Sequence, residues 1–292
     1  MPGNRQPQSR RNAGPFILVV ALLVVAAYAA CTWYQRQQST ADALQQTADL
    51  ISDDRILFGG APRPGPGSGD EVQFTVLKNQ GYIVGYSESR RDPLWAAYRV
   101  FHTDRPFDIP RPAGFAADIR TAARVRETDF AKSGYDRGHM APNSDIMRDF
   151  GKDAQRETFL LSNICPQTAE LNERVWERLE ADERKYADTC EEVWVIDGPI
   201  FADLNGGTTP RLASGIAVPS AFFKILIDEE GRPGGKPRIF SVIMPQDVKG
   251  TELPQQFLTT VSEIEKETHL ELFWKIDSQT RAELEGTKWK MW

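Results

Sequence analysis

Apolar positions fall into two regimes along the chain. From Phe16 to Cys31 they run without a single charge, and Thr32, Trp33 and Tyr34 extend the run to about 19 residues, just long enough to span a bilayer as a helix. Beyond Asp70 they come in short pieces. Residues 82–87, 96–101, 158–164, 192–196, 221–227 and 239–244 are β-branched or aromatic runs and predict strands. Residues 171–186 and 253–268 carry apolar side chains at helical intervals. Between the regimes, residues 35–57 form a helix-compatible spacer, and GGAPRPGPGSG at 59–69 predicts an irregular linker. The pattern therefore predicts a basic tail and hydrophobic segment over 1–34, a spacer over 35–69, and one domain over 70–292. That domain is α+β with a largely antiparallel central sheet.

Charge adds an orientation. Arg5, Arg10 and Arg11 precede the apolar run, and Arg36 is the first charge after it, so residues beyond Tyr34 are expected to be translocated. An uncleaved membrane anchor over 16–34 is the preferred reading. A signal peptide cleaved after Ala27-Tyr28-Ala29 and a lipoprotein-like Cys31 are the alternatives, and each places the domain outside the cytoplasm. The net charge of −6 argues against a uniformly basic coat for nucleic acid, yet Arg120, Arg124, Arg126, Lys132, Arg137 and Arg148 cluster locally. Cys165 and Cys190 can pair outside the cytosol or remain separate thiols; with no CxxC, a zinc ribbon is not expected.

Two segments carry chemistry. The first is Tyr135-Asp136-Arg137-Gly138-His139-Met140-Ala141-Pro142, which holds one of only three histidines. If it is extended, Arg137 and His139 share a face, the first suited to a phosphate and the second to general-base work. The bland alternative is a structural histidine hydrogen-bonded to Asp136. The second runs from Ser162-Asn163 through Pro166-Gln167 into a helix. There Asn172, Trp176, Glu180 and Arg184 recur every fourth residue, beside an apolar stripe of Leu171, Val175 and Leu179. By itself that polar stripe is an ordinary solvated face, with Glu180 and Arg184 as an ion pair.

Taken together, DRGH at 136–139, SN-x-x-PQ at 162–167, N-x3-W-x3-E at 172–180, VIDGPIF at 195–201 and VPSAFFK at 218–224 resemble the DNA/RNA non-specific endonuclease family. The resemblance covers roughly residues 70–275 and implies a ββα-metal (His-Me) finger. It implies that His139 activates water and that Asn172 is the single protein ligand of a Mg²⁺ ion, for which Mn²⁺ could substitute. Arg137 would approach the scissile phosphate, Glu180 would hold a metal-bound water, and Asn163 would support the site. Substrate contacts would come from Arg184 and an upstream arginine, for which Arg105 is the best match. The expected substrates are DNA and RNA, cut to 5′-phosphate ends. A catalytically inactive nucleic-acid-binding or uptake protein of the same fold is the competing reading, and an inhibitor partner and the oligomeric state stay open.

Overall fold

The computed structural model describes residues 32, 56–103, 110–229 and 236–288. The hydrophobic segment, apart from Thr32, and Arg105 lie outside the described residues, as do the proposed cleavage and acylation positions. Among the described residues no helix is long and apolar enough to cross a membrane.

In chain order the elements are β1 (Arg63–Pro64), β2 (Thr75–Asn79), β3 (Tyr82–Ser87), β4 (Asp92–Phe101), β5 (Asp136–His139), α1 (Asn143–Phe150) and α2 (Lys152–Thr158). There follow β6 (Ile164–Gln167), a π-helical turn (Leu171–Trp176) continuing into α3 (Glu177–Cys190), β7 (Glu192–Ile200), β8 (Ala221–Glu229) and β9 (Pro237–Pro245). β10 (Leu258–Thr259), α4 (Val261–Thr268), β11 (Leu270–Glu271) and α5 (Ser278–Gly286) complete the fold.

Seven strands form one sheet in the order β10-β9-β8-β7-β4-β3-β2, every neighbour antiparallel. Both faces are covered, so the central strands read as nearly continuous apolar runs rather than alternating ones. The two-residue period still sorts their side chains. Ile83, Trp95, Ala97, Ile196, Phe223 and Ile225 go to one core, with Val261 and Ile264 of α4. Tyr82, Val84, Tyr98, Val195, Phe222 and Leu226 go to the other, with Leu171, Val175, Trp176 and Leu179 of the π-helical turn and α3. This second layer carries the small β5–β6 hairpin, in which Asp136, Arg137, Gly138 and His139 stand opposite Gln167, Pro166, Cys165 and Ile164.

Three expectations change. Residues 158–164 are not a strand: Thr158 ends α2, Leu161–Asn163 is a tight turn, and the strand begins only at Ile164. Leu161 is apolar because it fills a side cluster and Phe159 because it packs on Phe115 and His139, and a short apolar run does not distinguish that from a strand. The expected helix over 253–268 shrinks to α4, because Thr260 caps it by accepting from the Glu263 backbone N–H, while Pro254–Phe257 forms a separate tight turn. The Gly/Pro stretch is part of the fold. β1 pairs with β11, Ile56, Leu57 and Ala61 are buried, and the glycine at 59, with φ +68°, abuts Phe273 and Ile276. Cys165 and Cys190 are both buried free thiols.

Candidate active site

His139 reaches its position because three features hold the end of β5. The hairpin ladder pairs it with Ile164. The buried Asn163 then pins the next two residues: its backbone oxygen accepts from Met140 N (3.0 Å), its Oδ1 accepts from Ala141 N (3.0 Å), and its Nδ2 donates to Ala141 O (3.0 Å). Nδ2 also donates to Thr158 O (3.1 Å), tying in the end of α2. Asn163 is thus a positioning residue with no exposed atom to offer a substrate. Finally, Gly138 leaves room for the buried Gln167, since a Cβ there would fall 1.8 Å from Gln167 Oε1.

The opposite wall is the start of the long helix. Asn172 lies in the π-helical turn, a wide turn that often marks functional positions. The residues on either side of this turn are tied to the loop at 246–252. Thr168 Oγ1 donates to Gln246 O (2.6 Å), Gln246 Nε2 to Pro166 O (2.7 Å), and Arg178 Nη1 to Glu252 O (2.5 Å). Because the turn alters the angular step, the expected stripe divides. Asn172, Glu180 and Arg184 face a cleft, whereas Trp176 is buried against Phe222.

That cleft, of ≈ 600 Å³, is lined by Arg111, Arg137, His139, Asn143, Ser144, Asn172, Glu173, Glu177, Glu180 and Arg184. Of the residues singled out from the sequence, Arg137, His139, Asn172, Glu180 and Arg184 come together here. Arg105 lies outside the described residues. Arg111, six residues on, is the upstream arginine that lines the cleft, and the sequence reading passed over it. The signal available was position alone, an arginine between two prolines in a segment without apolar period. Within the local basic cluster, Arg120 is spent on Asp118, Asn79 and the Lys78 carbonyl, and Arg148 on the Phe101 carbonyl, so both support loops.

Hydrogen bonding distributes the roles. Asp136 does not hold the histidine; its Oδ2 accepts from Asn172 Nδ2 at 3.1 Å. That bond orients the carboxamide, and no described donor engages Asn172 Oδ1. Nε2 of His139 has no hydrogen-bond partner among the described residues. Burial, and then the nearby Arg111 charge, lower its pKa to about 3, so the imidazole is neutral at ordinary pH. Glu180 is shifted the other way, to about 8. Burial raises it, Lys224 lowers it, Glu183 and Asp145 raise it, and Arg184 lowers it. The expected Glu180–Arg184 ion pair is replaced by one from Arg184 to the buried Asp145 at 2.9 Å, because α1 brings that carboxylate against the helix. Arg137 meets Glu127 at 3.4 Å, an exposed contact of little strength.

Two hard oxygen donors line the cleft: the carboxamide oxygen of Asn172 and the carboxyl group of Glu180. Such donors suit a cation that keeps most of its waters and asks little of the protein. Among the described residues no group of three or more His, Cys, Asp or Glu is arranged around a metal. His102, paired with Asp188, and His269, beside Glu71, lie away from the cleft.

Residues 60–279 match the model of the DNA/RNA non-specific endonuclease family. The chain is 29% identical over 233 residues to the mitochondrial nuclease EXOG of Danio rerio, covering 75% of this chain but only 65% of that relative's length. It is 28% identical to the mitochondrial endonuclease G of Bos taurus, covering 72% of this chain and 75% of the relative. Nuclease C1 of Cunninghamella echinulata is also 28% identical, over 71% of this chain and 86% of its own. In fold, the chain is similar to a structure of the EndoG/EndoGI complex, which concerns EndoG inhibition. The TM-score is 0.63 at 24% identity, over 73% of this chain and 95% of that one. The chain belongs to the DNA/RNA non-specific endonuclease family.

Proposed function

We propose that this chain is a metal-dependent, sequence-nonspecific endonuclease that hydrolyses phosphodiester bonds of DNA and RNA. The observation that carries the reading is the convergence of a neutral histidine, an oriented carboxamide and three arginines on one cleft. His139 takes the proton of the attacking water on a ring nitrogen, which its neutral state leaves able to accept. Arg137 and Arg111 bind the phosphate, and Arg184 adds charge to the same cleft. Asn172 would hold Mg²⁺ or Mn²⁺ through Oδ1, and Glu180 would accept from a water of that ion. When bound, the cation supplies positive charge to the phosphorane and the departing 3′ oxygen, which gives 5′-phosphate ends. Incubating the full chain with supercoiled plasmid and with RNA, in Mg²⁺, Mn²⁺ or EDTA, tests this. Cleavage should need a divalent ion and vanish in Asn172→Ala. Persistent cleavage in EDTA, or none with either ion, would sink the reading.

The proposal extends to place. A nuclease of this breadth endangers the cell that makes it, and export through residues 16–34 removes that hazard. Alkaline phosphatase fused after residue 50 should be active and a cytoplasmic fluorescent reporter dark. The reverse pattern would put the domain inside and call for an inhibitor, as the EndoG relative has in its complex.

A further inference from the structure

Behind the cleft lie two aromatic rings that touch three of its members. Phe115 and Phe159 stand with ring centroids 5.0 Å apart. The His139 ring is 5.5 Å from Phe115 and 5.0 Å from Phe159, nearly edge-on to the latter at 73°. The Arg137 guanidinium lies 5.0 Å over Phe115, and the Arg111 guanidinium 5.5 Å over Phe159. The backbone builds this arrangement. Ala116 N donates to Phe159 O (3.0 Å) and Leu161 N to Ala116 O (2.9 Å), a short parallel bridge that sets the two phenylalanines side by side. Phe159 is buried, and Phe115 is half-buried against the side cluster of Val125, Phe130, Leu161 and Ile164.

We propose that Phe115 and Phe159 form an aromatic shelf that positions His139, Arg137 and Arg111 as one set for phosphodiester hydrolysis. The inference rests on the endonuclease reading. An arginine that awaits a phosphate needs its flexible chain held without losing its charge. A close buried carboxylate would hold it and neutralise it; a ring face holds it by its quadrupole without occupying its N–H donors, and the exposed contact of Arg137 with Glu127 is long enough to yield to a phosphate. The same rings cover the side of the imidazole turned away from the cleft, and that burial favours its neutral form. Among the described residues, the charged groups about that imidazole are Arg111 and Arg137 beside it, Asp136 earlier on its strand, Glu127 on Arg137, and Glu173, Glu177, Glu180 and Arg184 in the cleft. Neither phenylalanine contacts substrate in this scheme, so both are positioning residues.

The full chain in detergent, with Phe115→Leu, Phe115→Tyr and Phe159→Leu, tests the shelf. With folding checked by circular dichroism, Phe115→Leu should raise the KM for DNA about 3–10-fold, the scale of one lost cation–ring contact, with a smaller change in kcat. In spectra of the ¹⁵N-histidine-labelled protein, His139 should start to titrate at higher pH than in wild type, moving toward its ordinary value. Phe115→Tyr should restore both. Phe159→Leu should displace the His139 titration further; if that buried truncation fails to fold, the Phe115 pair decides. A folded Phe115→Leu with wild-type KM and wild-type His139 titration overturns the proposal. Should the wild-type chain cleave neither DNA nor RNA, the endonuclease reading fails by itself, and the His139 titration alone then judges the shelf.

Discussion

His139 and Glu180 face one cleft with proton affinities displaced in opposite directions, and the displacement has consequences for stability. The pKa of Glu180 rises from 4.5 to about 8 on folding, chiefly by burial. The folded chain therefore binds this proton more tightly than the unfolded one, and the stability it brings is present below about pH 4.5 and lost as pH rises through 8. His139 is lowered from 6.5 to about 3, again chiefly by burial, so the unfolded chain protonates first as the solution is acidified below 6.5. Stability from that source falls between 6.5 and 3. Glu180→Gln should accordingly melt above wild type at pH 8–9 and close to it at pH 5, while metal-dependent cleavage drops about 10–100-fold. A melting difference that ignores pH would show that the carboxyl is not ionising in the fold. His139→Ala should cost at least about 10² in cleavage rate, the scale of a general base, at unchanged folding; near-wild-type rates would remove it from the chemistry.

At the scale of the element, the β5–β6 hairpin depends on one absence. Gln167 is fully buried and its side chain crosses the face of Gly138, so it cannot swing out to make way for a methyl group. Gly138→Ala should destabilise the domain by about 1–3 kcal/mol through overpacking, and should lower cleavage because His139 is the next residue on the strand. The double variant Gly138→Ala/Gln167→Ala should recover much of the lost stability. If thermal melting of the single variant matches wild type, the crowding is relieved elsewhere. The long helix behaves likewise as a unit: its π-helical turn, clamped by Gln246 and the loop to Glu252, lets Asn172 look outward while Trp176 looks inward.

Across the whole molecule, one buried lysine joins sheet to helix. Lys224 of β8 is fully enclosed and donates to Glu183 of α3 at 2.6 Å and to the Tyr98 hydroxyl of β4 at 2.8 Å, with Asp197 of β7 at 3.1 Å. Its ammonium also lies 4.5 Å from the Trp176 ring. Replacing only the lysine leaves two buried carboxylates without their counter-charge. Lys224→Met should therefore cost about 3–5 kcal/mol in urea denaturation, and adding Glu183→Gln with Asp197→Asn should return a good part of it. Equal losses in the single and triple variants would mean that packing, not charge, sets the cost.

Much of this was legible in the sequence, and the divide has a physical basis. Local patterns sufficed where the side-chain period or a short motif carries the information. β3, β7, β8 and β9 follow from β-branched and aromatic runs, α3 from its apolar stripe, and the pairing of Arg137 with His139 on one face from two-residue alternation. The motif spacings sufficed to point to the family. Local patterns failed where apolarity served a tertiary purpose. Phe159 and Leu161 read as strand because the run is apolar, but they are apolar to back the cleft and fill a flank. The glycines at 59 and 60 read as linker because backbone freedom looks alike whether a chain wanders or turns tightly against Phe273. Arg111 and Phe115 carry no period at all, and only folding brings them to His139. The partners of Asp136 and Arg184, in turn, could not be read locally, since Asn172 is 36 residues and Asp145 39 residues distant along the chain. Secondary structure is written in neighbours a few residues apart, whereas the charge state and aim of each cleft residue depend on burial and contacts that exist only after the layers close.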